Sequence, residues 1–329
     1  MNLVTGATGH IGNVLVRKLV EKGKTVRALV LPGEDRRPLS DLPVEYVEGD
    51  VLDYPSLLKA CQGVEIVYHL AGMITILPGK NDLVQAVNIS GTRNVLHAAC
   101  AAQVRRLIYT SSIHAFSRLP HGEIIDENAP FDTFNAISAY DFSKARASLD
   151  VVDAACNGLD AVITCPTGVI GPYDFRLSEM GQIILDCARQ KPQLYVDGAY
   201  DFVDVRDVAD GMIAASEKGK TGEVYILSGE KLSVKSLMDH IHAITGRDFL
   251  RLKIPMPLAR LAARFVPYYY RMAHVKPRFT PYSLATITSN SDISHAKAGR
   301  ELGYSPRSLR ESLADTVKWF ITNAEKTPT

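Results

Sequence analysis

The sequence predicts an α/β fold with a doubly wound parallel sheet. Two observations predict it: short β-branched segments alternate with amphipathic helical stretches through the first half of the chain, and a glycine-rich turn follows the first segment. Helices of this length connect parallel strands by right-handed crossovers, so they cover both faces of one sheet. Ligands of such sheets bind beyond the carboxyl ends of the strands.

Each predicted element rests on its hydrophobic spacing. The strands are short, rich in β-branched residues and bounded by turn residues, and they span residues 2–5, 25–30, 44–47, 66–70, 107–111 and 161–165. The helices have apolar residues at helical spacing and span residues 11–22, 56–61, 82–102 and 139–155.

Composition excludes several classes of protein. The 329 residues include 37 Lys+Arg and 36 Asp+Glu, a net charge of +1, which argues against a general nucleic-acid binder. The chain has no run of about 18 uninterrupted apolar residues, so no transmembrane helix is predicted. Residues 1–6 carry neither a basic leader nor an apolar signal segment, so we expect the protein in the cytosol. The five cysteines are odd in number and lack the two-residue spacing of a metal or redox motif, so we expect no metal site.

The glycine-rich turn of residues 5–12 reads T-G-A-T-G-H-I-G and lies between a predicted strand and a predicted helix. Gly6 permits the tight turn, Gly9 removes the Cβ that would block a pyrophosphate, and Gly12 lets the helix approach the sheet. The N-terminus of the helix offers unpaired N–H groups and a partial positive charge to phosphates. The turn therefore predicts a dinucleotide site.

The end of the second strand bears on the choice between NAD and NADP. NAD-binding sites usually carry an acid there, which holds the ribose 2′-hydroxyl, but residues 30–33 at the end of this strand read V-L-P-G and include no acid. The acids Glu34 and Asp35 come later and are followed by Arg36 and Arg37. This pattern favours NADP, with Arg36 on the 2′-phosphate. NAD stays open, because Glu34 could fold back onto the ribose.

Tyr140 and Lys144 lie four residues apart on one face of a predicted helix. A free tyrosine has a pKa of about 10, so proton transfer near neutrality needs a fall of roughly three units, or about 4 kcal/mol. An ammonium at about 5 Å, in an effective dielectric constant near 20, supplies about 3 kcal/mol. Tyr140 is therefore a candidate general acid/base. Ser112, just beyond the strand 107–111, would orient the substrate oxygen, and Ser111 is the alternative.

With these motifs, the chain resembles the extended short-chain dehydrogenases/reductases along nearly its whole length. The resemblance implies that Ser112, Tyr140 and Lys144 form the catalytic set and that Tyr140 and Lys144 also contact the cofactor. It implies further cofactor contacts from the glycine-rich turn and from the ends of later strands: Gly6, Thr8, Gly9, His10, Ile11, Gly12, Asp50, Val51, Leu70, Ala71, Gly72, Thr110, Pro166, Thr167, Gly168 and Val169.

Within this family the chain looks most like the 3β-hydroxysteroid dehydrogenase and dihydroflavonol 4-reductase branches. Sugar-nucleotide epimerases usually continue the serine strand with Val-Tyr-Gly, whereas residues 113–116 read I-H-A-F. The segment 166–172, P-T-G-V-I-G-P, is similar to that of the two branches, which act on ring ketones or alcohols of bulky apolar molecules. Two alternatives stay open: an epimerase with retained NAD, and a non-catalytic NADP-sensing protein.

We predict a dinucleotide-binding Rossmann domain over residues 1–170, with a return segment near 202–227. A smaller C-terminal α+β lobe over 171–329 is expected to bind a small-molecule substrate. Residues 249–291 contain no Asp or Glu and interleave basic with aromatic residues, which suits inward-packed aromatics, an anionic substrate group or peripheral membrane contact. Family analogy also implies a homodimer built on the helices 82–102 and 139–155.

Overall fold

The computed structural model describes residues 1–75, 81–134, 138–263 and 280–323. Its strands are β1 (Asn2–Thr5), β2 (Val26–Val30), β3 (Glu45–Glu48), β4 (Ile66–His69), β5 (Arg106–Thr110), β6 (Ala161–Pro166), β7 (Gly168–Ile170), β8 (Gln193–Tyr195), β9 (Ala199–Asp204), β10 (Val224–Leu227), β11 (Glu230–Ser233) and β12 (Arg251–Lys253). Its helices are α1 (His10–Glu21), α2 (Tyr54–Cys61), α3 (Asp82–Gln85), α4 (Gly91–Ala101), α5 (Ala139–Cys156), α6 (Glu179–Ala188), α7 (Val205–Lys218), α8 (Val234–Thr245), and the later Pro281–Ile287, Ala296–Leu302 and Leu309–Thr322.

Seven parallel strands form the main sheet, in the order β10-β6-β5-β4-β1-β2-β3. The strand order reverses between β1 and β4, where Asn2 pairs with Val26 on one side and Ile66 on the other. Such a reversal opens a crevice at the carboxyl ends of the strands. The predicted fold class is confirmed, and the six predicted strands are present with ends that agree to within one residue.

Both faces of this sheet are covered, because successive side chains of a strand point to opposite faces. Leu107 and Tyr109 of β5 belong to a core shared with α2, α4 and α5, whereas Ile108 belongs to a core shared with α1 and α7. These strands therefore read as continuous apolar runs, as expected of a parallel sheet buried on both sides.

The smaller sheets are β11-β9-β7 and β12-β8. A separate apolar core joins α6 and α8 to the helix Leu309–Thr322, through residues that include Ile184, Leu237 and Leu313. The chain leaves the main sheet after β6 and returns to it as β10. The predicted division into two domains stays a prediction.

Two regions differ from the simplest expectation. The predicted helix 82–102 is interrupted by a π-helical turn, Ala86–Ser90, between α3 and α4. In the segment 249–291, β12, helical residues 256–263 and the helix Pro281–Ile287 are described, while residues 264–279 lie outside the described residues. Along the described stretches, no helix is both long and apolar enough to cross a bilayer.

We predict that Gly12→Ala lowers the free energy of unfolding by about 2 kcal/mol or more. A Cβ at Gly12 would lie 2.1 Å from the Gly6 carbonyl oxygen, so the turn or the helix must move. The matched control is Gly299→Ala, also within a helix, where the nearest contact would be an ordinary 3.6 Å. Alanine there should stabilise by up to about 1 kcal/mol. Urea unfolding measures both changes, and equal stability of Gly12→Ala and the natural chain would contradict the close packing.

Candidate active site

The glycine-rich turn lies against the end of β4 and leaves no room for side chains. Gly6 has a φ of +67°, and a Cβ there would lie 2.8 Å from the Ala71 nitrogen. A Cβ on Gly9 would lie 3.2 Å from the Gly6 oxygen. The N-terminus of α1 has no capping side chain, so the N–H groups of its first turn face the cradle. This arrangement fits the pyrophosphate of a dinucleotide.

A buried hydrogen-bond network lies beneath the turn. The Thr5 hydroxyl accepts hydrogen bonds from the Leu70 and Ala71 N–H groups at 3.2 and 3.1 Å, so its own proton goes to His69 Nδ1 at 2.8 Å. His69 Nε2 then donates to the Thr92 hydroxyl at 3.0 Å. Burial lowers the pKa of His69 to about 3, so the imidazole stays neutral. The network joins the ends of β1 and β4 to α4.

Asn88, on the π-helical turn, holds the chain that follows β4. Its side-chain oxygen accepts from the Met73 N–H at 2.8 Å, and its amide donates to the Met73 carbonyl and the Ser143 hydroxyl, both at 2.9 Å. A Cβ on Gly72 would lie 3.1 Å from that oxygen and 3.5 Å from Lys144 Nζ. The sequence analysis missed Asn88. The feature that could have identified it is a polar residue within a helix that was predicted to pack on the sheet.

The three predicted catalytic residues meet at the carboxyl end of β5. Helix α5 begins at Ala139 after Ser138, whose hydroxyl accepts from the Asp141 N–H, and this places Tyr140 in the first turn. The side chain of Tyr140 lies beside that of Ser112, whose interaction with it lowers the pKa of Tyr140. The ammonium of Lys144 donates to the Thr110 carbonyl at 2.7 Å. All three side chains are buried.

The two neighbouring serines have different partners. The Ser111 hydroxyl lies 2.6 Å from that of Ser148, which itself donates to the Lys144 carbonyl at 2.8 Å. Ser111 therefore donates to Ser148 and fastens α5 to β5. Ser112 instead lies beside Tyr140, whereas Ser111 is turned toward α5.

Burial acts on both titrating groups of the pair. Burial raises the pKa of Tyr140 to about 12; hydrogen bonding with Ser112 lowers it, and the Asp141 charge raises it. Burial lowers the pKa of Lys144 to about 8. The acidification of Tyr140 by Lys144 stays a prediction.

Three rings that the sequence analysis missed pack together near Tyr140. The His114 imidazole is stacked on the Tyr200 ring at 5.7 Å, and its Nε2 lies 2.7 Å from the Tyr200 hydroxyl. The same imidazole meets the Tyr140 ring edge-on, with the ring centres 6.3 Å apart. The Tyr282 hydroxyl donates to the buried Asp141 carboxylate at 2.6 Å. These rings form an aromatic wall, His114, Tyr200 and Tyr282, beside the candidate acid/base.

The predicted nicotinamide segment lies at the end of β6 and the start of β7. Pro166 ends β6, and the Thr167 hydroxyl donates to the buried Asp201 carboxylate at 2.6 Å. A Cβ on Gly168 would lie 2.6 Å from a ring carbon of Tyr200, so this glycine makes room for the aromatic wall. Val169 pairs with β9.

The predicted adenine residues lie beyond the end of β3. The Asp50 carboxylate accepts from the Leu52 N–H at 2.9 Å, and Val51 is buried. A Cβ on Gly91 would lie 2.7 Å from the Val51 side chain, so α4 packs closely on this loop.

Glu34 is folded back from the end of β2 onto the glycine-rich turn. One carboxylate oxygen accepts from the Leu31 N–H at 2.8 Å and the other accepts from the Thr8 hydroxyl at 2.6 Å. Arg36, which the sequence analysis assigned to a 2′-phosphate, pairs with Glu48 on β3 at 2.5 Å. The acid, rather than this arginine, lies next to the glycine-rich turn.

Comparison with known proteins identifies the family of the chain. A family model described as "NAD dependent epimerase/dehydratase family" matches residues 2–228. The chain belongs to that family. It is 37% identical over 326 residues to sterol demethylase protein B of Methylococcus capsulatus, with 97% of each chain covered. It is 28% identical to a 3β-hydroxysteroid dehydrogenase/Δ5→4-isomerase of Mycobacterium tuberculosis, covering 98% of this chain and 91% of the other.

Among solved structures, that of gox2253 has a TM-score of 0.86 and 34% identity, covering 100% of this chain and 99% of the other. These findings confirm the predicted family and its 3β-hydroxysteroid dehydrogenase-like branch. They also confirm the predicted enzyme class, a dehydrogenase/reductase of the extended short-chain type that uses a nicotinamide dinucleotide.

We predict that His69 makes stability depend on pH between about 3 and about 6.5. The unfolded chain binds a proton at His69 below about 6.5, whereas the folded chain binds one only near 3, so stability falls as the pH falls through this window. The slope from this group is about 1.4 kcal/mol per pH unit. The variant His69→Gln should be less stable at pH 7.5 and show a shallower dependence between pH 4 and 6.5.

The control is His97→Gln, because His97 is exposed. Urea unfolding at half-unit pH intervals measures both variants. An unchanged slope in His69→Gln would refute the neutral buried imidazole, and a slope that falls equally in both variants would refute its assignment to His69.

Proposed function

We propose that the protein transfers hydride between a nicotinamide cofactor and the carbon of a ketone or secondary alcohol in a bulky, apolar substrate. The observation that carries the proposal is the meeting of Ser112 and Tyr140, with Lys144 on the same helix, at the crevice that holds the glycine-rich turn. When bound, the nicotinamide supplies or accepts the hydride.

The residues of the chain handle the substrate oxygen. In reduction, Tyr140 gives its proton to the oxygen as hydride reaches the carbon, and in oxidation it takes the proton back. Ser112 donates a hydrogen bond to the same oxygen and holds it beside Tyr140. Lys144 is fixed by the Thr110 carbonyl, and its ammonium favours the charged form of Tyr140.

The cofactor would lie along the crevice from the second strand to the sixth. The N–H groups near Gly9, His10 and Ile11 would hold the pyrophosphate. Further contacts are proposed at the ends of the strands: Asp50 and Val51 at the adenine, Leu70, Ala71 and Gly72 at the adenosine ribose, Thr110 beside Lys144, Lys144 at the nicotinamide ribose, and Pro166, Thr167, Gly168 and Val169 at the nicotinamide.

For the adenosine ribose we propose NAD in preference to NADP. A carboxylate accepts hydrogen bonds from ribose hydroxyls and repels a 2′-phosphate. Glu34 is in position against Thr8 and the end of β2, while Arg36 is paired with Glu48. The earlier preference for NADP depended on Arg36 being directed toward the ribose.

The aromatic wall supports a flat apolar substrate. His114, Tyr200 and Tyr282 present rings beside Tyr140, and ring faces bury large apolar areas at low conformational cost. The names of two relatives, a sterol demethylase protein and a 3β-hydroxysteroid dehydrogenase, point to the same class of molecule. We therefore propose steroid-like ring ketones or alcohols as the substrate class.

We predict that Ser112→Ala and Tyr140→Phe abolish most of the turnover without preventing cofactor binding. General acid/base groups contribute about 10²- to 10⁴-fold to rate, and a positioned hydrogen-bond donor about 10²- to 10³-fold. The measurement is oxidation of NADH with a panel of cyclic and steroid ketones, together with NADH binding by fluorescence.

Ser111→Ala is the matched control, because it removes a neighbouring hydroxyl that fastens α5 to β5. It should lose about 1 kcal/mol of stability and keep kcat within a few-fold. Natural-like rates for Tyr140→Phe would overturn the assignment. Conversion of nucleotide sugars without net oxidation of the nicotinamide would show an epimerase, and tight NADH binding with no turnover of any ketone or alcohol would show a sensing protein.

A further inference from the structure

Arg176 reaches the glycine-rich turn from the loop after β7. Its guanidinium donates to the Thr8 hydroxyl at 2.6 Å and pairs with the Glu34 carboxylate. Thr8, Glu34 and Arg176 come from three separate segments of the chain, and we call them the ribose-side triad. Sequence patterns give no sign of this arrangement, because Glu34 and Arg176 are 142 residues apart.

The loop that carries Arg176 is held in place by contacts of its own. His10 Nε2 donates to the Pro172 carbonyl at 3.0 Å, and the Asn13 amide donates to the Tyr173 carbonyl at 3.1 Å. The guanidinium of Arg17 lies 4.6 Å from the centre of the Tyr173 ring. Tyr173 has a φ of +67°, a left-handed conformation that a tyrosine adopts only when its surroundings impose it. The loop therefore packs on α1, and this packing places Arg176 next to the glycine-rich turn.

The two charged groups of the triad, the Glu34 carboxylate and the Arg176 guanidinium, lie where we expect the 2′ position of the adenosine ribose. The Glu34 side chain is 16% exposed and Arg176 is 57% exposed, so the carboxylate lies against the turn and the guanidinium covers it from outside. Two other arginines after β2 have different partners: Arg36 pairs with Glu48, and Arg37 pairs with Asp35. Among the residues that the structure describes, Arg176 is the cation paired with Glu34.

We propose that Arg176 is a specificity-determining residue for the cofactor, acting with Glu34 at the adenosine ribose. This inference rests on the proposed position of the ribose beside Glu34. The carboxylate accepts from a 2′-hydroxyl and repels a 2′-phosphate, whereas a guanidinium binds phosphate through two hydrogen bonds. While the two side chains are paired, the Glu34 carboxylate favours NAD over NADP, and the positive charge of Arg176 weakens that preference. Removing the Glu34 charge releases Arg176 to bind a 2′-phosphate.

The test compares AMP with adenosine 2′,5′-bisphosphate, which differ only in the 2′-phosphate, by isothermal titration calorimetry. The natural chain should bind AMP more tightly. Glu34→Gln, which keeps the size of the side chain, should raise the affinity ratio of bisphosphate to AMP at least about tenfold, equivalent to about 1.4 kcal/mol. Arg176→Ala should lower that ratio, because the Glu34 charge is then uncompensated.

The double variant and a control decide the role of Arg176. In Glu34→Gln/Arg176→Ala the gain for the bisphosphate should disappear, and Arg36→Ala should leave the ratio unchanged. If the double variant keeps the gain, or if Arg36→Ala removes it from Glu34→Gln, the role given to Arg176 is overturned. Thermal unfolding of each variant confirms that it is folded.

These titrations also separate this proposal from the proposed reaction. AMP and the bisphosphate carry no nicotinamide and do not involve Tyr140 or Ser112. Failure of ketone reduction with the expected titration results would overturn the reaction alone. Failure of every variant and the natural chain to bind either nucleotide would overturn the ribose site, and Arg176 with it.

Discussion

The site depends on the buried contact between α5 and the end of β5. Two hydrogen bonds make this contact, Lys144 to the Thr110 carbonyl and Ser111 to Ser148, and a third, Asn88 to Ser143, joins α5 to the π-helical turn. Buried polar groups that lose their partners are costly, so the three bonds together hold α5 in place, and the loss of any one of them leaves the other two. Tyr140 faces Ser112 as a consequence of that placement.

The parallel sheet brings the remaining groups to the same place. Because β1, β4, β5 and β6 run in one direction, their carboxyl ends share one edge, and the reversal of strand order between β1 and β4 opens a crevice there. The glycine-rich turn follows β1, the Thr5–His69 hydrogen bond joins β1 to β4, and Ser112 follows β5. The fold thus aligns the glycine-rich turn with Ser112 and Tyr140 along one groove.

Local patterns predict much of this structure and part of the site. Strands, helices, the glycine-rich turn and the four-residue spacing of Tyr140 and Lys144 are all visible over short windows of sequence, and the fold class and family predicted from them are confirmed. The π-helical turn, the pairing of Arg36 with Glu48 and the aromatic wall are not visible in this way. They depend on tertiary contacts, such as that between His114 and Tyr200, 86 residues apart. Local periodicity carries no information about such contacts.

The pKa of Tyr140 also shows that a short motif predicts only part of the site. Spacing alone predicts an acidified phenol, whereas burial raises its pKa to about 12. Whether a side chain is buried follows from the complete packing of α5, β5 and the aromatic wall, and no short motif contains it.

Isotope transfer tests the central claim most directly, namely that this groove carries hydride from nicotinamide to a carbonyl carbon. The measurement uses NADH deuterated on either face of nicotinamide C4, a steroid ketone and mass spectrometry of the product. The account predicts one deuterium on the new carbinol carbon, from one face only, for each NAD⁺ formed. Product without deuterium from either face, or consumption of the substrate with no NAD⁺ formed, would contradict it.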